Sequence, residues 1–150
     1  MPAVSVIVPV YNVEPYIARC VRSLFGQTLQ DMEFIFVDDC TPDKSMEIMW
    51  QILKDEFPER LSQVKFYRMP QNSGVAKVRM KGIFMASGDY VIHCDSDDMV
   101  DPDAYRTIRN DILLPFPGGR KNPKLNMPKT IVKGLSKCGN KPSSNYLSRG

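Results

Sequence analysis

The sequence predicts an α/β domain built on a mostly parallel sheet with flanking helices. Three observations carry that expectation. Short apolar runs rich in β-branched or aromatic residues recur at 3–10, 33–37, 63–68 and 90–94. Each is followed by a stretch whose apolar residues fall at helical spacing, and Gly, Pro or Asp marks most junctions. Strands linked by helices form a parallel sheet with right-handed crossovers.

The elements follow in order. Residues 3–10, AVSVIVPV, read as a buried strand. Between Glu14 and Gln27 the residues Tyr16, Ile17, Cys20, Val21, Leu24 and Phe25 line one helical face. Pro15 suits the first turn of that helix and Gly26 its end. Residues 33–37, EFIFV, give a second strand, halted by Asp38 and Asp39. Thr41-Pro42 opens a second helix that turns Met46, Met49, Ile52, Leu53 and Phe57 inward. Residues 63–68, QVKFYR, are less apolar and suit a third strand near an edge. Residues 74–87 form a third helix, with Ala76, Met80, Ile83 and Phe84 as its apolar series. Residues 90–94 are the fourth strand, and a short helix begins after Pro102.

The chain has 150 residues, enough for one domain with a real core. At 43% hydrophobic and 25% charged it has the composition of a soluble globular protein. No apolar run approaches the roughly 20 residues that cross a bilayer. The N-terminus lacks a charged leader and a small-residue cleavage site, so it reads as a strand rather than a signal peptide. Cys20, Cys40, Cys94 and Cys138 show no C-x-x-C spacing, which suits reduced thiols in a cytoplasmic protein.

Charge divides the chain in two. Residues 1–109 hold 12 basic and 16 acidic side chains, whereas residues 110–150 hold 8 basic and 1 acidic. Five prolines and five glycines interrupt any period in the second stretch. Residues 1–109 are therefore read as the ligand-binding domain. Residues 110–150 are read as a basic tail, irregular or partly disordered. A solvated tail is the plainer reading of its charge. Nucleic acid is not expected as a partner, and peripheral contact with the inner face of a membrane is compatible with the charge.

In open parallel sheets the ligand sits beyond the carboxyl ends of the strands, where strand order reverses. Pro9 to Asn12, Asp38 and Asp39, Asn72 to Gly74, and Asp95 to Asp98 should share one such rim. Carboxylates crowded together repel unless a cation or a helix N-terminus offsets them. Asp101 and Asp103 suit helix capping, as does one of Asp38 and Asp39. Asp95, Asp97 and Asp98 together suit a hard divalent cation, Mg²⁺ or Mn²⁺. Such a cation, held by few carboxylates, completes its shell with substrate phosphates and water. The chain has no G-x-G-x-x-G after the first strand and no G-x-x-x-x-G-K-[ST].

Several motifs occur together in one order: VPVYN, Gln27-Thr28, VDD with T-x-D-x-S, N-x-G with Arg79 five residues beyond the glycine, ASGDY and DSDD. Over residues 3–106 this pattern resembles the family 2 glycosyltransferases of the GT-A fold, a Rossmann-like fold that binds nucleoside diphosphate sugars. The resemblance implies transfer of a sugar, usually with inversion, from a donor such as a UDP-sugar to a hydroxyl of a glycan or lipid-linked acceptor in polysaccharide biosynthesis. It implies that Pro9, Tyr11 and Asn12 line the nucleotide pocket. Asp39 would accept a hydrogen bond from the base, and Asp38 would support its loop. Arg79 would lie beside the nucleotide, with Asp95 and Ser96 near the ribose. Asp97, with Asp95, would hold the metal, and Asp98 would extend the acidic edge.

The sequence departs from the pattern in places. Cys40 stands where the family often has glycine, which suggests a slightly different turn, and Met80 replaces a frequent asparagine. His93, the single histidine, reads as a packed or polar-paired strand residue, and Trp50 as a helix residue in the core or partly buried rather than stacked on substrate. No acid beyond D-x-D matches the family's general base, so no catalytic residue is assigned. The chain reads as the donor-binding half of the fold, truncated. A catalytically inactive nucleotide-sugar-binding module is the alternative. A phosphatase using D-x-D would carry it after the first strand, and a receiver domain would carry its acidic pair there. Here D-x-D follows the fourth strand and the pair follows the second.

Overall fold

The computed structural model describes residues 2–113 and 130–133. Five parallel strands form one sheet in the order β3-β2-β1-β4-β5. They are β1 (Val4–Val10), β2 (Met32–Asp38), β3 (Val64–Arg68), β4 (Tyr90–His93) and β5 (Thr130–Lys133). The helices are α1 (Ile17–Phe25), α2 (Ser45–Glu56), α3 (Val75–Met85) and α4 (Ala104–Leu113), with a 3₁₀ turn at Pro58–Gln63. The less apolar β3 lies at an edge, as its composition predicts.

Alternation divides the two sheet faces. Val4, Val6, Val8 and Val10 of β1, with Phe34 and Phe36 of β2, meet Ile17, Cys20, Val21 and Leu24 of α1 and Met49 and Leu53 of α2. Ile7, Ile35, Val37 and Val91 face the other way and meet Val78 of α3. Both faces of β1 and β2 are covered, which is why these strands are continuous apolar runs.

The α3 series differs from its sequence expectation. Met80 is 54% and Phe84 79% exposed, while Val78 and Gly82 are the buried residues of the helix. The cause is close approach. A Cβ at position 82 would lie 2.4 Å from Ile7 Cγ2. Gly82 lets β1 into the helix, and that contact fixes which side faces the sheet. Helical spacing alone cannot identify the inward face when the closest contact is made by a residue without a side chain.

The tail also contributes an element that the sequence reading lacked. Thr130–Lys133 pairs with β4 in parallel, from Tyr90 opposite Thr130 to His93 opposite Lys133. Four residues, TIVK, are β-branched enough for a strand but too few to show a period. Cys138 and the other residues of 134–150 lie outside the described residues. No helix among the described residues is long and apolar enough to cross a membrane.

Strand order reverses between β1 and β4. The chain runs β1, β2, β3 to one side and then places β4 on the other side of β1. The β1–β4 ladder ends at Ile7 opposite His93, whereas β1 continues to Val10 beside β2. Pro9, which cannot donate to a ladder, therefore falls where β4 has already ended.

Candidate functional site at the carboxyl edge of the sheet

The loops predicted to share a rim are tied together at this edge. Asn12 donates its backbone N–H to Thr41 Oγ1 at 2.9 Å, and Glu14 donates its own to Asp43 Oδ2 at 3.0 Å. Val13 N–H reaches Ser45 Oγ at 3.1 Å. The T-x-D-x-S motif is thus a scaffold for the turn after β1. Asp43 is its hub, accepting from Thr41 Oγ1 and Ser45 Oγ, each at 2.6 Å. Burial works against its charge, but these hydroxyls and neighbouring N–H groups hold its pKa below the usual value. Asn12 itself has φ 51°, a left-handed angle that asparagine tolerates better than most residues. Tyr11 is buried.

Asp38 and Asp39 are both buried, and they point to different partners. Asp38 accepts the Thr41 N–H at 2.8 Å and faces Arg68 at 3.7 Å. Burial raises its pKa; the Thr41 N–H and Arg68 offset part of that rise. Asp39 accepts the N–H groups of Ser73 at 2.7 Å and Gly74 at 3.0 Å, at the N-terminus of α3. Its own carbonyl accepts from Asn72 Nδ2 at 3.2 Å. The loop after β3 is therefore assembled on Asp39. Cys40 has φ 57°, so it keeps the backbone that a glycine would take. Its Sγ lies 2.9 Å from the Met69 carbonyl.

The turn after β4 gathers three carboxylates. Asp95, Asp97 and Asp98 each offer an oxygen, and these oxygens lie within 4.8 Å of one another. The turn is closed by the Asp98 N–H on the Asp95 carbonyl at 3.0 Å. Ser96 is buried within it. Arg79 reaches across from α3 and donates through Nη2 to Asp95 Oδ1 at 3.0 Å. This one contact links the α3 side of the edge to the acidic turn. The donor set is all oxygen, compact and partly charge-compensated, and it fits a hard divalent cation. Asp98, which the sequence groups with Asp95 and Asp97, belongs to the same cluster.

His93 sits just before this turn, half-buried, with a buried Nδ1 that has no hydrogen-bond partner. Burial first, and Arg79 second, lower its pKa, which favours the neutral ring. Trp50 packs edge-on against Phe66 with ring centroids 5.9 Å apart, as a half-buried residue beside the core. Asp103 precedes α4, and its carboxylate accepts from the Thr28 hydroxyl at 2.6 Å.

Two other motifs prove to be structural. Gln27 is buried and joins three segments: Nε2 donates to Ser23 and Asp101 carbonyls, and Oε1 accepts the Tyr105 N–H. Ser87 and Gly88 of ASGD meet Glu33 and Ser5 at the start of the sheet. Ser87 Oγ donates to Glu33 Oε2 at 2.7 Å, and Gly88 N–H donates to Ser5 Oγ at 2.8 Å. Sequence reasoning missed Arg60 altogether. It is buried, donates to the carbonyls of Phe25 and Leu29, and lies over the Phe25 and Phe34 rings.

In open parallel sheets ligands sit at the carboxyl edge, at the switch point, and here that point is bordered by an acidic turn and a guanidinium. The chain matches the model of "Glycosyl transferase family 2" over residues 5–112, and it belongs to that family. It is 42% identical over 100 residues to "Uncharacterized glycosyltransferase EpsJ" of Bacillus subtilis (strain 168), covering 67% of this chain and 27% of the relative. It is 39% identical over 113 residues to an "Uncharacterized glycosyltransferase" of Haemophilus influenzae, covering 75% of this chain and 43% of the relative. Among solved structures, S. aureus TarS 1-349 in complex with UDP-GlcNAc is similar with a TM-score of 0.66 at 30% identity, covering 75% of this chain and 31% of that one. The chain thus spans less than half the length of these relatives.

Proposed function

We propose that this chain binds a nucleoside diphosphate sugar, with UDP as the nucleotide, together with Mn²⁺ or Mg²⁺ at the carboxyl edge of β1 and β4. The transfer would carry the sugar to an acceptor hydroxyl with inversion. The observation that supports this reading most is the convergence of three carboxylates and Arg79 at the switch point. The S. aureus relative solved with UDP-GlcNAc has the same fold at 30% identity, which favours UDP.

Each part has a physical role. Asp97 and Asp95 would hold the cation, with Asp98 as a third oxygen donor. When bound, the cation neutralises charge on the diphosphate leaving group. Arg79 would move from Asp95 toward a phosphate without leaving the edge. Pro9, Tyr11 and Asn12 would line the base and ribose, beside Asp95 and Ser96. Asp39 already holds two N–H groups, but each carboxylate oxygen has two lone pairs, so a base N–H can share it. Asp38 would act through that loop rather than on the ligand. The protein would work on the cytoplasmic side, where nucleotide sugars are supplied.

The test is a nucleotide panel (UDP, GDP, ADP) titrated by calorimetry in Mn²⁺, beside a donor-hydrolysis assay with UDP-sugars. Selective UDP binding with hydrolysis supports the transferase reading. Selective binding without turnover supports the inactive nucleotide-sugar-binding module. Equal, weak heats for all three nucleotides contradict both.

A further inference from the structure

The Asp95 carbonyl oxygen is a crowded acceptor. Besides the Asp98 N–H, two buried thiols point at it: Cys94 Sγ at 3.6 Å and Cys20 Sγ at 3.8 Å. Cys94 is fixed to the central strand, with its N–H on the Ile7 carbonyl at 2.9 Å. Cys20 belongs to α1 and is completely buried. Both are free thiols.

The contact continues along α1. Arg19 Nη2 lies 3.4 Å from the Asp97 carbonyl, and Ser23 Oγ accepts the Val100 N–H at 3.1 Å. Gln27 Nε2 donates to the Asp101 carbonyl at 2.7 Å. Arg19, Cys20 and Ser23 of α1, and Gln27 just beyond its end, meet residues 97, 95, 100 and 101 in turn. The helix is a rail for the backbone that carries the acidic turn. The backbone of the turn is held against α1, and its three carboxylates converge.

We propose that Cys20 and Cys94 are positioning residues for the cation site, fixing the Asp95–Asp98 turn through its carbonyl so that the three carboxylates present one oxygen each. This inference rests on the cation reading given above. Groups behind the ligands orient them, and their loss typically weakens metal binding by about 10-fold or more while the ligands themselves remain.

The experiment measures free Mn²⁺ by its electron paramagnetic resonance signal, with and without UDP. It uses the full chain and the variants Cys20→Ala, Cys20→Val, Cys94→Ala, Cys20→Ser, Cys94→Ser and Leu53→Ala. Cys20→Val keeps apolar bulk and removes the S–H, so it reports on the donor where an alanine cavity unfolds the chain. Leu53→Ala opens a cavity in the core on the α2 side and reports on stability alone. The expected result is about a 10-fold loss of Mn²⁺ affinity in the Ala and Val variants, recovery to within about 3-fold in the Ser variants, and parent affinity in Leu53→Ala. Parent-like affinity in Cys20→Val and the Ala variants overturns the inference, as do Ser variants as weak as Ala. A parent chain with no saturable Mn²⁺ binding in either arm overturns the cation reading itself, and this inference with it.

Discussion

Cys40 holds a backbone angle that most side chains avoid, and two neighbouring aspartates depend on the turn it makes. A non-glycine residue in the left-handed region costs about 1–2 kcal/mol, more when it is β-branched. Cys40→Val should therefore lower stability by about 1–2 kcal/mol, while Cys40→Gly stays within about 0.5 kcal/mol of the parent. Urea unfolding of the three proteins checks this; valine matching glycine would contradict it.

Glu33 is the other residue with a measurable signature. Burial alone would raise its pKa, but Lys65 at 2.8 Å and the hydroxyls of Ser5 and Ser87 hold it at about 2, against 4.5. The folded value lies below the unfolded one. The stabilisation is therefore complete above about pH 4.5 and is lost as pH falls toward 2, by about 2–3 kcal/mol. The stability gap between the parent and Glu33→Gln should narrow over that window in urea unfolding, and a constant gap would contradict the assignment. At this scale the sequence showed which residues were acidic and where they clustered. It did not show that Asp39 holds the backbone of Ser73 and Gly74 before α3, or that Asp43 takes the Glu14 N–H after β1, because these partners are backbone groups distant along the chain.

Among the elements, α3 shows how packing overrides pattern. Alanine is a better helix former than glycine by roughly 1 kcal/mol. Gly82→Ala should nevertheless destabilise the protein by about 1–3 kcal/mol, because its Cβ meets the Ile7 side chain within the core. Phe84→Ser on the opposite side should change stability by less than about 0.5 kcal/mol. Thermal unfolding of both variants would reveal the reverse order if the apolar series marked the buried face. Arg60 binds the end of α1 to the 3₁₀ turn and the aromatic core. Arg60→Ala should cost about 2–3 kcal/mol, since it leaves buried carbonyls of Phe25 and Leu29 without their charged donor. Strands β1 to β4 and the faces of α1 and α2 were legible because their burial is continuous or periodic. Strand β5 was not, since four residues amid prolines and glycines carry no pattern.

For the whole molecule, the decisive feature is order rather than content. The sequence alone indicated which loops would share an edge, because parallel βα units place every strand-to-helix turn on the same side. It could not give the strand order that puts β1 between the acidic turns after β2 and β4, since that depends on which edge β4 joins. The resulting edge has Asp39 engaged with α3 on one side and the Asp95–Asp98 turn on the other, with Arg79 between α3 and that turn. The account stands on these turns acting together on one metal-bound diphosphate. It is tested most directly by calorimetric titration of UDP, with and without Mn²⁺, into the parent chain and into Asp97→Ala. The account predicts tight binding only for the parent with Mn²⁺, at least about 10-fold weaker binding in the other three conditions, and an unchanged fold in the variant. Equal UDP affinity in all four conditions would contradict it.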